Sequence, residues 1–110
     1  FELPEIQFER DQFVLLSSAY KSLNTLGDYL LHNPNKKLKI VGHTDSKGSE
    51  GHNMELSLNR AKEVKKYLEK FYKIKSNRLT TKGMGGKKPI VSNISEQEMQ
   101  KNRRVEFIIY

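Results

Sequence analysis

An α+β domain is predicted, a βαβαββ two-layer sandwich in which two main helices lie on one face of a mixed four-stranded sheet. Three observations predict it. Two long stretches carry apolar residues at helical spacing, four shorter ones read as strands, and each helical stretch stands between two strand stretches, as a crossover does. The 110 residues suffice for one core and no more, so positions 1–110 are read as a single domain.

The elements follow in order. Glu5-Ile6-Gln7-Phe8 alternates polar and apolar residues, as a half-buried strand does. From Ser17 to His32, Ala19, Leu23, Leu26 and Leu30 recur at steps of four, three and four, and Asn33-Pro34-Asn35 ends that helix. Leu38, Ile40 and Gly42 alternate with Lys39, Val41 and His43 in a second strand. Ser46 to Gly51, with Gly48 and Gly51, has loop composition, and Asn53 is expected to cap the second helix. Ala61, Val64, Leu68 and Phe71 set the buried stripe of that helix to about Tyr72. Arg78 to Met84 is a third strand, stopped by Gly85-Gly86. A polar stretch around Ser95 to Gln100 leads to a last strand opened by Asn102-Arg103-Arg104, with Val105, Phe107 and Ile109 facing the helices.

Twenty Lys plus Arg against thirteen Asp plus Glu give +7, which favours anionic partners. The basic residues are scattered pairs and no aromatic platform accompanies a basic stripe, so nucleic acid is not an expected partner. Zero cysteines exclude disulfides and thiol catalysis. No apolar run approaches the roughly 20 residues of a membrane span, and no signal peptide opens the chain at Phe1. The expectation is a soluble domain excised from a larger, membrane-anchored protein.

The stretch from Gly42 to Ala61 concentrates the chemistry. His43, Asp45 and His52 are ligand types for a metal, yet they match no helical His pair, so no metal and no cofactor is expected. A hydrolase built on His43 and Asp45 is the competing enzyme reading. It lacks a Gly-flanked nucleophile turn, so the domain is expected not to be an enzyme. Asn53, Leu56 and Arg60 share one helix face beside the loop that carries Thr44 and Asp45. Two readings stay open on spacing alone: an Asp45–Arg60 salt bridge that pins loop to helix, or the two charged walls of a pocket for a zwitterion. For Arg103 and Arg104 the choice is likewise between exposed strand-end charges and, for Arg103, a further carboxylate contact.

Gly42-His43-Thr44-Asp45, Gly48, Asn53, Leu56-Ser57, Arg60-Ala61, Arg78-Leu79, Gly83, Gly85, Pro89, Asn93 and Asn102-Arg103-Arg104-Val105-Glu106 stand in an order and spacing that resemble the OmpA-like peptidoglycan-binding domain. That family includes OmpA C-terminal domains, the Pal lipoproteins and the flagellar stator protein MotB. The resemblance runs from Ile6 to the end of the chain and implies the βαβαββ fold.

It also implies non-catalytic binding of the peptidoglycan stem peptide at its diaminopimelate residue. Asp45 would take the ammonium and Arg60 the carboxylate, with Thr44, Asn53 and Leu56 in the near wall, Arg103 as a further contact, and Phe8 and Asp11 at the border. The implied setting is the periplasm, tethering an outer-membrane or otherwise membrane-anchored parent to the cell wall. A stator-type wall anchor is the alternative parent, with other envelope proteins or a second copy as possible partners. Alanine at Asp45 or Arg60 is expected to abolish binding with the fold intact. Two positions depart from the family pattern: Glu98-Met99 stands where Gly-Arg is usual, and Met84 where an aromatic is frequent.

Overall fold

The computed structural model describes residues 6–7, 19–46, 48–87 and 95–110. Phe8, Asp11, Pro89, Asn93 and the first residues expected of helix one lie outside them. The elements are β1 (Ile6–Gln7), α1 (Ala19–His32), β2 (Leu38–Gly42), α2 (Glu50–Tyr72), β3 (Leu79–Gly83), α3 (Glu96–Asn102) and β4 (Arg104–Ile109), with one 3-10 turn at Ser76–Arg78. Strand order is β1-β4-β2-β3. β2 runs parallel to β3 and antiparallel to β4, and β1 is antiparallel to β4.

The α+β class, the two long helices and the mixed sheet agree with the sequence. Register explains the core. Leu38 pairs with Leu79 and Ile109, and Ile40 with Phe107, so one face of the sheet presents a continuous apolar surface. Leu23, Leu26 and Leu30 of α1 and Ala61, Val64 and Leu68 of α2 close over it in a single cluster. Lys39, Val41, Lys82, Glu106 and Ile108 alternate onto the other face.

Three boundaries differ from expectation. Helix α2 begins at Glu50, capped by Ser49, whose Oγ accepts from the His52 N–H at 3.2 Å. Asn53 is therefore not the cap but a buried residue of the first turns, and Gly51 and His52 are helical. The polar stretch before the last strand forms α3, a helix whose Met99 is buried, and β4 starts at Arg104. The third strand starts at Leu79 because Ser76–Arg78 forms the 3-10 turn.

Arg78 in that turn has a definite task. Its guanidinium donates to the carbonyls of Leu30 and Asn33 at 2.9 Å and its Nε to that of Lys36 at 3.0 Å, tying the end of α1 to the turn that follows it. Arg78→Ala is expected to cost about 1–3 kcal/mol, readable as a lower urea midpoint. Arg78→Lys should recover only part of it, since one ammonium cannot span three carbonyls in a fixed fork.

The position of α2 over the sheet is fixed by a glycine rung. Gly42 and Gly83 are Cα partners in the parallel ladder, and both lie under Ser57 of α2. A Cβ on Gly42 would overlap the Ser57 carbonyl oxygen, and one on Gly83 would stand 2.7 Å from Ser57 Oγ and the Leu58 nitrogen. Ser57 uses this proximity: its Oγ donates to the Met54 carbonyl and accepts from the Gly85 N–H, both at 2.9 Å. The first half of α2 is thereby held against the loop that leaves β2.

Candidate functional site

That loop is fixed by main-chain bonds on both sides. The His43 N–H donates to the Arg104 carbonyl at 2.8 Å and the Thr44 N–H to the Gly85 carbonyl at 2.9 Å. Thr44 Oγ1 donates to the Asp45 carbonyl at 2.8 Å, and Asn53 Nδ2 reaches the same oxygen at 3.5 Å. Gly48, at φ +91°, lets the chain turn back into the Ser49 cap.

The charges behind the loop are buried. Arg60 has no exposed surface, Arg103 is 2% exposed and Asp45 4%. Arg103 Nη1 donates to Asp45 Oδ2 at 2.9 Å and Nη2 to Glu96 Oε1 at 2.7 Å, so one guanidinium joins the β2 loop to α3. Burial works against the charge on Arg103, but hydrogen bonds to Asp45 and Glu96 outweigh it and hold the side chain protonated more firmly than usual. Arg60 Nη1 donates to the His43 carbonyl at 3.0 Å. Leu56 and Asn53, one and two turns away on the same stripe, are also buried.

A cavity of about 260 Å³ opens beside this cluster, lined by Ser46, Gly48, Glu50, Asn53, Gly86 and Lys87. Gly86 packs so closely on the Asp45 backbone that a Cβ there would stand 2.8 Å from the Asp45 oxygen. The cavity is therefore backed by the Asp45 main chain. An exposed ion pair, Lys87 Nζ to Glu50 Oε1 at 3.0 Å, marks its outer side.

Thr44 and Asp45 on the β2 loop, Asn53, Leu56 and Arg60 on the first half of α2, and Arg103 just before β4 are all buried. Phe8 and Asp11 lie outside the described residues. Of the two alternatives left open for the strand-end arginines, exposure holds for neither: both are buried, Arg103 between two carboxylates and Arg104 against Glu106 at 3.0 Å. Glu96 was missed as a partner because the stretch before β4 read as a polar connection. Its helical spacing, seven residues before Arg103, was the available signal.

His43 and Asp45 have separate partners. The buried His43 ring meets Glu106 through Nε2, and Glu106 in turn accepts from Arg104. Burial and the Arg104 cation push the His43 pKa below its usual value, and Glu106 opposes them without prevailing. A folded-state pKa below the unfolded value means the unfolded chain binds the proton first. The contribution of His43 is then fully present above the unfolded pKa of about 6.5 and is lost as pH falls through and below it. The urea midpoint should fall between pH 7.5 and pH 5, and His43→Gln should flatten that part of the profile.

Among the described residues, no group of three or more His, Asp or Glu side chains could hold a metal ion. No helix among them is long and apolar enough to cross a membrane.

The described residues form an α+β sandwich with a buried carboxylate–guanidinium cluster at one loop end. Residues 7–103 match the OmpA family, and the chain belongs to that family. It is 39% identical over 105 residues to a peptidoglycan-associated lipoprotein of Buchnera aphidicola, covering 96% of this chain and 60% of that protein. It is 38% identical over 104 residues to the peptidoglycan-binding protein ArfA of Mycobacterium bovis, covering 94% of this chain and 32% of that protein. The chain thus spans less than two thirds of either relative.

In fold it superposes on the peptidoglycan-associated lipoprotein of Burkholderia pseudomallei with a TM-score of 0.91 at 23% identity, covering 96% of this chain and 89% of that one. The C-terminal domain of Helicobacter pylori MotB gives 0.88, also at 23% identity, covering 99% and 85%. At that identity the likeness is one of fold.

Proposed function

We propose that this domain binds peptidoglycan without altering it, gripping the zwitterionic end of a diaminopimelate side chain in the stem peptide. It would thereby tether a membrane-anchored parent to the wall in the periplasm. One observation carries the reading: Asp45, Arg60 and Arg103 are buried at a single loop end, and a cavity of about 260 Å³ opens against the Asp45 main chain.

The charge balance favours a zwitterion. With Glu96, the cluster holds two carboxylates and two guanidiniums. An amino-acid head adds one charge of each sign and leaves the site neutral, whereas a lone anion or cation would leave a buried charge uncompensated. In this reading Asp45 receives the ammonium, Arg60 forks the carboxylate, Arg103 adds a second cationic contact, and Thr44, Asn53 and Leu56 shape the wall. Binding exchanges part of the existing internal pairing for the ligand's, so affinity for one head group is modest and retention at the wall comes from many copies acting together.

The names of the relatives, a peptidoglycan-associated lipoprotein and a peptidoglycan-binding protein, support the polymer as ligand. A stator-type wall anchor is compatible with the same site and differs only in the parent. The hydrolase alternative is disfavoured because the His43 ring is engaged with Glu106 while Asp45 is engaged with Arg103.

Co-sedimentation with purified wall sacculi tests the reading. The domain should pellet with sacculi, and free diaminopimelate-containing tripeptide should release it. Retention that 0.5 M salt removes and the peptide leaves unchanged would contradict a specific pocket and indicate general attraction of a +7 protein to an anionic polymer.

A further inference from the structure

The face of the sheet away from the helical core carries its own cavity, and nothing in the proposed wall-binding site uses it. It measures about 270 Å³ and is lined by Lys39 and Val41 of β2, Lys82 of β3, Glu106 and Ile108 of β4, with His43 and Met84 at one end. The register accounts for this assembly. Val41 pairs with Lys82 on one side and Glu106 on the other, and Lys39 with Ile108, so one patch three strands wide gathers two lysines around an apolar floor.

The charge of this patch is unbalanced. Glu106 is already engaged by Arg104 at 3.0 Å and by the His43 ring. Lys39 and Lys82 form no ion pair among the described residues, which leaves two cations facing the cavity. A second feature is independent of them. His43 is 3% exposed, lines the same cavity, and its Nδ1 has no hydrogen-bond partner among the described residues. A buried ring nitrogen without a partner is uncommon and is satisfied by a ligand or water that enters beside it.

We propose that this face is a second binding site, for a small anion with an apolar body, of the class of a carboxylate-terminated short peptide. Lys39 and Lys82 receive the carboxylate, Val41, Met84 and Ile108 cover the apolar part, and His43 Nδ1 is the polar group at the His43–Met84 end. The volume lies just below the roughly 300–1,000 Å³ of drug-sized sites, which suits one or two residues. His43 also joins the two sites, since its carbonyl accepts Arg60 while its ring lines this cavity.

Residue-resolved amide NMR titration of the domain tests this, with N-acetylalanine, N-acetylalanine amide and inorganic phosphate as probes. N-acetylalanine should shift the amides of Lys39, Val41, Lys82 and Ile108 in a saturable manner. The neutral amide and phosphate should each bind at least tenfold more weakly, the one lacking charge and the other an apolar body. A K39Q/K82Q double variant, altered only at side chains without ion-pair partners among the described residues, should lose the effect at least tenfold while still releasing from sacculi with the stem peptide.

Absence of saturable shifts at this face overturns the proposal. So does equal binding by the amide or by phosphate, or unchanged binding in the double variant. Failure of stem-peptide binding at Asp45 and Arg60 leaves this result independent, because the two sets of amides are distinct.

Discussion

Asp45→Ala is expected to lower the unfolding free energy by about 3 kcal/mol and to remove stem-peptide binding. Its carboxylate faces Arg103 Nη1 at 2.9 Å, and both groups are almost wholly buried. Removing one member of such a pair leaves the other's charge unpaired out of water, which costs about 3–5 kcal/mol. The lower end applies because Glu96 still holds Nη2 at 2.7 Å from the exposed side. The expectation that alanine leaves the fold intact is therefore revised. Asp45→Asn separates the two effects: it keeps the shape and an acceptor for Arg103, so it should cost less stability yet lose the charge that pairs with an ammonium. Urea unfolding and calorimetric titration on both variants give the comparison.

Gly42→Ala should be at least as damaging to the fold, although it adds a single carbon. That carbon would meet the carbonyl oxygen of Ser57, a main-chain atom of α2 that cannot turn aside, and Gly83 leaves no slack in the adjacent strand. Overfilling a packed interior costs about 1–3 kcal/mol, and a collision with helix backbone belongs at or above the top of that range. The shift of α2 needed to relieve it would carry Asn53, Leu56 and Arg60 away from the β2 loop, so binding should weaken in whatever fraction remains folded. Ser57→Ala is the control, losing the hydroxyl bond to the Gly85 N–H and about 1 kcal/mol without a collision. Equal midpoints for Gly42→Ala and the parent would mean that the rung does not set the helix position.

Much of the fold was legible because its signals are local and periodic. Leu23, Leu26 and Leu30 announce the buried side of α1, and Leu38 and Ile40 that of β2, through spacing alone. The start of α2 was misplaced because Ser49 and Asn53 are both good capping residues and two glycines precede Asn53. Which one caps depends on where Gly42 and Gly83 let the helix lie, a tertiary fact. Helix α3 was unreadable for a related reason: it is seven residues long, and its visible apolar contribution is one methionine.

The interval from Asp45 to Arg60 pointed to the loop and helix where the buried charges lie, but spacing could not say which arginine meets which oxygen. Arg103 comes to Asp45 from 58 residues away, through a sheet register that no local pattern encodes. The cluster of His43, Arg104 and Glu106 was missed although strand alternation puts residues 104 and 106 on one side. Burial of Arg104 has no local mark, so exposure stayed an open alternative for it.

Calorimetric titration with two stem tripeptides that differ only at the third residue tests the central claim most directly. One carries diaminopimelate and the other lysine, which keeps the ammonium and lacks the distal carboxylate. A pocket that matches Asp45 to an ammonium and Arg60 to a carboxylate predicts at least a hundredfold preference for diaminopimelate, the equivalent of about 2.7 kcal/mol from one lost charge-assisted contact at a buried guanidinium. Equal affinity for the two peptides would contradict it.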